Sequence, residues 1–377
     1  MRIALAHAHV FRFARGIERY TVALASALAR AGVEATIVTL RQPPPTAPGL
    51  AAPMRYPDLD PRVRVHAVPN TRYYTSVTSI PFYLADFARR GGYDHILISF
   101  GLNGEGLAAR LIAALPGGRA RYSIVFHFPY EASPGRFLEF RRYGLLAHAA
   151  HHIAVSAYIA ASVRAHLGVE CAVIPSGVDP RHFRPDPALR AATRAALGIA
   201  PDERVLLSAG ALEPREGMDR LLAALDPALR GGAVPGARLI VAGDGPRGPS
   251  LRARAAALGL ADKVTWIAHT SEMAGLYNAA DLFALLSDHE AFGLAALEAM
   301  SCGLPVVVSD GGAFPEYVTP EVGLLVDPTN IPAVRGALDR LLGDDALRAR
   351  MGQAARRHVE EGYSWDRVAH DLLALVA

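Results

Sequence analysis

Along most of the chain, short apolar runs rich in β-branched residues alternate with stretches whose apolar positions recur every three or four residues. That is the pattern of parallel strands covered by helices. In the first half it predicts strands at Arg2–Ala6, Ala35–Leu40, Val63–Val68, His95–Phe100, Arg121–His127, His152–Ser156 and Ala172–Pro175. The clearest helix between them runs from about Glu18 to Ala31, with apolar positions at Val22, Leu24, Ala25 and Leu28 and with Gly32 placed to end it. Around Ser176-Gly177-Val178-Asp179-Pro180 the alternation breaks, and Pro180, Pro185 and Pro187 make a stiff, turn-rich stretch that reads as a linker. A second series follows, with strands expected at Arg204–Ala209, Arg238–Ala242, Val264–Ile267, Leu282–Leu286, Pro305–Ser309 and Gly323–Val326. The expected fold class is therefore α/β, with two doubly wound Rossmann-like domains facing a central cleft. Ligands of such sheets bind beyond the carboxyl ends of the strands.

The length of 377 residues supports the division, because a single hydrophobic core rarely grows so large. The net charge of +3 is unevenly shared: residues 1–180 hold 19 Arg against 11 Asp and Glu, an excess of +8 that leaves −5 for the remainder. A basic first half could attract an anionic membrane surface or acceptor, but its arginines are scattered, and nucleic acid is not expected as a partner. Lys263 is the only lysine, so Arg should stand wherever a cation is needed. Cys171 and Cys302 lie far apart in apolar contexts, which supports neither a disulfide framework nor a zinc site and suits a reducing cytoplasm. The apolar start Ile3-Ala4-Leu5-Ala6 is broken too soon by His7, His9 and Arg12 to read as a signal peptide, and no 18-residue apolar stretch occurs. A peripheral contact at the inner face of a membrane rests on Arg136, Arg141 and Arg142 beside Phe137, Leu138 and Phe140. A solvated helix face explains those residues equally well.

The segment richest in chemistry is Glu290-Ala291-Phe292-Gly293-Leu294-Ala295-Ala296-Leu297-Glu298, expected to follow a strand and open a helix with two carboxylates eight residues apart. Eight helical residues span roughly 12 Å, which suits two polyhydroxylated rings held apart by a diphosphate. Free N–H groups near Phe292, Gly293 and Leu294 would then favour the anion between them. Read blandly, Glu290 is a helix-start carboxylate and Glu298 part of a solvated face. His127, at the end of a strand and before Phe128-Pro129, is a second candidate; His151 and His152 have no completing carboxylate or cysteine for a metal site and read as structural.

With Ser301-Cys302-Gly303-Leu304-Pro305-Val306-Val307-Val308-Ser309-Asp310-Gly311-Gly312 after that segment and Val241-Ala242-Gly243-Asp244-Gly245-Pro246 before it, the chain closely resembles glycosyltransferase family four. Ile174-Pro175-Ser176-Gly177-Val178-Asp179 resembles the family's interdomain segment, with Ser for its usual Asn, and Tyr363-Ser364-Trp365 resembles its closing element. The resemblance implies the GT-B fold. An acceptor-binding domain over 1–178, a nucleotide-sugar-binding domain over 179–360 and a final helix over 361–377 returning to the first domain follow from it. It also implies a retaining, metal-independent transferase that moves a hexose from a nucleotide diphosphate sugar to a glycan, lipid-linked or small-molecule acceptor. Position by position, His127 and Glu290 would serve the transferred sugar and Glu298 the ribose. Gly16, Arg215, Gly243, Gly245, Phe292, Gly293 and Leu294 would complete the donor site, with no metal ligand among them.

One segment departs from the family pattern, which has an Arg and a Lys after the first strand of the second domain to neutralise the diphosphate. Here Gly210-Ala211-Leu212-Glu213-Pro214-Arg215-Glu216-Gly217 puts Ala211 and Glu216 in their places. Three readings remain open: Arg215 takes over the phosphate contact, cations such as Arg12, Arg15 or Arg19 do so, or the chain is a catalytically impaired scaffold or partner subunit. Epimerisation of a nucleotide sugar is a weaker rival.

Overall fold

The computed structural model describes residues 1–7, 10, 16–40, 56, 58–68, 92–99, 111, 121–130, 144–229, 237–268 and 270–377. They separate into two compact units, residues 1–177 with 365–377, and residues 178–364.

The first unit is built on a seven-stranded sheet. Its strands are β1 (Arg2–Ala6), β2 (Glu34–Leu40), β3 (Arg64–Val68), β4 (His95–Ser99), β5 (Arg121–Phe126), β6 (His151–Ala154) and β7 (Ala172–Val173), in the spatial order β3-β2-β1-β4-β5-β6-β7. Every pairing is parallel. Strands covered on both faces have no polar side to show, so Ile3, Leu5, Ile96, Leu97, Ile98 and Ile124 are all essentially inaccessible. The chain reverses its direction of travel across the sheet between β1 and β4, which makes the carboxyl end of β1 a topological switch point.

Helix α1 (Gly16–Arg30) enters just beyond that end and buries Val22, Leu24, Ala25 and Leu28. Against it packs the last helix of the chain, α10 (Trp365–Val376), with the Tyr20 and Trp365 rings meeting edge-on at 5.3 Å and Arg30 paired to Asp366 at 2.7 Å. The remaining described helix of length in this unit is α2 (Ala157–Leu167), capped by the Ser156 hydroxyl at its start and by Gly168, with φ +68°, at its end.

The second unit carries a six-stranded sheet. Its strands are β8 (Val205–Ala209), β9 (Arg238–Ala242), β10 (Val264–Ile267), β11 (Leu282–Leu285), β12 (Val306–Ser309) and β13 (Gly323–Val326), all parallel in the order β10-β9-β8-β11-β12-β13. The helices are α3 (Pro187–Ala196), α4 (Met218–Leu229), α5 (Gly248–Ala257), α6 (Met273–Ala279), α7 (Leu294–Ser301), α8 (Ile331–Gly343) and α9 (Asp345–Gly362). The core gathers Leu206, Leu222, Leu239, Leu282, Val307, Leu338 and Leu341. Each such side chain removed from water contributes about 1.5–3 kcal/mol. Here the switch point lies between β8 and β11, where the strand order turns.

The stretch expected to be wholly linker is shorter than its prolines suggested. Pro187 opens α3 at a position where its missing N–H costs nothing, and the Asp186 carboxylate accepts from the N–H groups of Ala188 and Leu189 at 3.0 and 2.9 Å. Before it, Arg356 of α9 donates to the carbonyls of Phe183 and Ser301, each at 2.6 Å, and to that of Pro180 at 2.9 Å. The chain passes from one unit to the other at 177–178 and 364–365, and the Val178 N–H donates to the Tyr363 carbonyl at 2.8 Å.

Candidate functional site

In the second unit, the segments that leave β8 and β11 at the switch point carry the residues of interest. Beyond β11, the chain bends at Asp288 and His289 before Glu290, and α7 begins only at Leu294. Glu290 therefore stands four residues ahead of the helix, and the stretch from Glu290 to Glu298 is not the eight helical residues expected from the sequence. The reason is Gly293. It adopts φ +85°, and a Cβ there would lie 2.6 Å from the Phe314 ring and 2.9 Å from the Tyr317 oxygen, so the chain must bend before it can coil. The Tyr317 hydroxyl fixes the bend by donating to the Phe292 carbonyl at 2.8 Å.

The expected free amides are also partly taken. The N–H groups of Phe292 and Gly293 donate to the Glu290 carboxylate, and the Ser287 hydroxyl donates to its Oε2 at 3.3 Å. Burial raises the pKa of Glu290; Arg215, Ser287 and the two amides oppose that rise. By helix geometry the amides of Leu294 and Ala295 have no acceptor within α7, and an anion at that end is favoured. Glu298 lies inside the helix and is buried, with its Oε2 accepting from the Tyr277 hydroxyl of α6 at 2.8 Å.

Beyond β8, residues Pro214–Glu216 make one 3₁₀ turn closed by Gly217 at φ +69°. The turn leaves its neighbouring side chains in unlike surroundings: Arg215 is half exposed, while Glu216 is buried at 8%. Arg215 does not stand ready for a phosphate. Its Nη2 is 2.9 Å from Glu216 Oε1 and its Nε 3.2 Å from Glu213 Oε2. Gly243 and Gly245, expected at the donor, have a local reason to be glycine, since a Cβ would fall 1.8 Å from the Gly210 carbonyl oxygen and 2.6 Å from that of Leu212. They let the segment after β9 lie flat against the segment after β8.

In the first unit, His127 follows β5 and is buried, and Tyr20 of α1 meets its ring edge-on at 4.6 Å. Its Nε2 has no hydrogen-bond partner among the described residues. Burial, with His7 adding like-charge repulsion, lowers its pKa to about 3, so the ring is neutral at any ordinary pH. Two residues that the sequence reading passed over lie in the same region. His7 follows β1, and its Nε2 is 3.6 Å from the Glu18 carboxylate of α1's first turn. The signal for Glu18 was available: it shares the helix stripe of Val22 and Ala25, where a carboxylate is out of place unless it has work to do. Gly16 opens α1, and a Cβ on it would meet nothing within 4 Å among the described residues, none of which demands glycine there.

Of the remaining expectations, Arg12, Arg15 and the stretch 136–142 lie outside the described residues. His151 stacks on His95 at 6.0 Å, and His152 Nε2 is 3.0 Å from the Leu146 carbonyl, so both have structural partners. Among the described residues, no group of three or more His, Cys, Asp or Glu side chains is placed to hold a metal ion, and no helix is long and apolar enough to cross a membrane.

Two family profiles match the chain in tandem: one described as Glycosyltransferase Family 4 over residues 14–182, and one described as Glycosyl transferases group 1 over residues 190–358. The chain belongs to glycosyltransferase family four. Among curated relatives it is 41% identical over 210 residues to the D-inositol 3-phosphate glycosyltransferase of Segniliparus rotundus, covering 54% of this chain and 45% of that one. It is 35% identical over 201 residues to the GDP-mannose-dependent monoacylated alpha-(1-6)-phosphatidylinositol monomannoside mannosyltransferase of Corynebacterium glutamicum, covering 51% and 52%. The match thus spans about half the length of the curated relatives. Solved structures of similar fold include the sucrose-phosphate synthase of Thermosynechococcus elongatus, with TM-score 0.79, 24% identity and coverage of 99% and 98%. Anabaena HepE in complex with UDP and glucose gives TM-score 0.80 at 21% identity, again covering 99% and 98%. The fold is thus GT-B, with one parallel sheet in each unit.

Proposed function

We propose that this protein is a retaining glycosyltransferase that moves a hexose from a nucleoside diphosphate sugar to a hydroxyl of a glycan, lipid-linked or small-molecule acceptor, without a metal ion. The observation that carries the reading is the position of Glu290: a partly buried carboxylate at the switch point of the second sheet, held by two backbone amides and a serine hydroxyl immediately before the start of α7. A carboxylate so oriented accepts hydrogen bonds from sugar hydroxyls, while the amides of Leu294 and Ala295 face the negative charge that grows on a departing diphosphate. Glu298, oriented by Tyr277, takes the ribose, and Gly16 and Arg215 serve the phosphates. His127, kept neutral, offers one ring nitrogen to the transferred sugar. The relatives support the class: two are named for an inositol phosphate or phosphatidylinositol mannoside acceptor, one of them with GDP-mannose as donor, and HepE binds UDP with glucose.

The chemistry follows from these groups. The acceptor hydroxyl attacks from the face the diphosphate leaves, through an oxocarbenium-like transition state, and the departing phosphate oxygen takes the acceptor's proton. A transfer assay tests the reading with GDP-mannose, UDP-glucose and UDP-N-acetylglucosamine against inositol phosphates and phosphatidylinositol, with chelator present. A product whose anomeric configuration matches the donor is expected. No turnover with any pair, together with no binding of any nucleotide sugar, overturns it. Contact of the basic first half with an anionic membrane belongs to the same proposal. Flotation with phosphatidylinositol-containing liposomes should carry the protein upward at physiological salt, and a protein left at the bottom removes that part.

A further inference from the structure

We infer that Glu216 is a latch on Arg215, so that the second unit binds the diphosphate of a nucleotide sugar together with one proton: Glu216 takes up the proton from solvent and the released guanidinium turns to a phosphoryl oxygen. The inference rests on the nucleotide-sugar reading of this site.

The geometry begins with Gly217. At φ +69°, with the place of a Cβ only 2.1 Å from the Leu286 carbonyl oxygen, it presses the 3₁₀ turn against the end of β11 and fixes which side chain goes inward. Glu216 is the inward one, its Oε2 3.4 Å from the place of a Cβ on Gly210, with Leu285 close by. The charged groups that face it are Glu213 and Arg215 from its own segment and Glu290 from the segment after β11. Asp288, on that same segment, is already paired with Arg220 and gives its N–H to the Arg215 carbonyl at 2.8 Å.

With every group ionised, three carboxylates surround one guanidinium, and a diphosphate meets net negative charge. Arg215 is held by Glu216 at 2.9 Å and Glu213 at 3.2 Å, so a phosphate must compete with both. When the phosphate wins, Glu216 is left buried beside Glu290 with no cation, and an uncompensated buried carboxylate takes a proton. Glu216 is the one to do so, because Glu290 keeps the Phe292 and Gly293 amides and the Ser287 hydroxyl as donors. Even before a ligand arrives, burial, and then Glu290, push Glu216 up to about 7 against the pull of Arg215. The replacement of a cation by Glu at this position therefore leaves the phosphate site usable, at the cost of a proton.

The test is calorimetric binding of intact GDP-mannose and UDP-glucose, whose phosphates are diesters and do not titrate between pH 6 and pH 8.5. The titrations are run in two buffers of different ionisation enthalpy. For the whole protein, affinity should fall about 30-fold from pH 6 to pH 8.5, and about one proton should be taken up per molecule bound at the upper end. Glu216→Gln should bind with an affinity nearly constant across the range and with no proton uptake, and Arg215→Ala should bind weakly at every pH. A flat wild-type profile, or a Glu216→Gln protein that keeps the slope, overturns the latch and leaves the nucleotide-sugar reading standing. If neither wild type nor Glu216→Gln binds either nucleotide sugar at any pH, the reading of the site falls and takes the latch with it.

Discussion

The Tyr277 hydroxyl donates to Glu298 Oε2 at 2.8 Å, so the carboxylate assigned to the donor ribose is held from behind by a ring on the neighbouring helix. The ring itself packs against Phe183 and Phe283, which leaves it little freedom. Tyr277→Phe keeps that packing and removes only the donor. It should cost about 1–3 kcal/mol of stability, because a buried carboxylate loses a hydrogen bond. The KM for the nucleotide sugar should rise more than kcat falls, as expected of a carboxylate proposed to bind the ribose and not to touch the reacting carbon. Thermal unfolding and steady-state kinetics check both halves; a kcat effect with unchanged KM contradicts the ribose role.

Glycines at the two ends of the chain's chemistry should respond oppositely. Gly16→Ala places a methyl where none of the described residues lies within 4 Å, so the melting temperature should hold or rise slightly, while nucleotide-sugar affinity drops about tenfold or more. Gly243→Ala forces a Cβ to 1.8 Å from the Gly210 carbonyl oxygen and should prevent stable folding of the second unit. A Gly16→Ala protein that binds the donor as well as wild type would remove this residue from the site.

Glu290→Gln keeps size and loses charge. Transfer should fall on the order of 100-fold, as expected when a group that positions the sugar no longer does so, with little change in melting temperature. Single-turnover kinetics at saturating donor check it, and an unaltered rate would mean that Glu290 serves only the turn it sits in.

The first unit should be sensitive to acid. His95 is buried, its Nε2 is 2.7 Å from the Ser123 hydroxyl, and burial, with His151 and Arg121 nearby, lowers its pKa to about 4. The unfolded chain takes up a proton at each such histidine near pH 6.5, whereas the folded chain refuses it until far lower. Stability is thus fully present above pH 6.5 and is lost as pH falls toward 4, by about 1.4 kcal/mol per pH unit for each histidine so placed. His127, lowered to about 3, adds to the same window. Urea unfolding at pH 7 and pH 5 should show the difference, and His95→Gln should reduce it to the part His127 contributes.

The strands were legible because both sheets are parallel and covered on both faces, so that Val306, Val307 and Val308 appear in the sequence as an uninterrupted apolar run. Arg238–Ala242 was read to the residue for the same reason, and Gly323–Val326, though Leu325 is exposed, was read to the residue from its apolar run. The start of α7 was not legible, since it is set by Gly293 meeting Phe314 and Tyr317, residues distant in sequence, and not by the apolar period. The sequence also showed a missing cation at 216 without showing where the carboxylate goes. Its burial depends on a three-residue turn pinned to the end of β11, a relation between segments that no local pattern encodes. The proximity of His7 and Glu18 is of the same kind, joining the end of one strand to the first turn of a helix.

A crystal structure of the protein soaked with a non-hydrolysable 2-fluoro nucleotide sugar shows whether the donor lies at the start of α7. The diphosphate is expected against the amides of Leu294 and Ala295, a hexose hydroxyl within hydrogen-bond reach of Glu290 and the ribose at Glu298. Density for the nucleotide anywhere else on the second unit, or a helix start closed to it in the presence of saturating ligand, would contradict that placement.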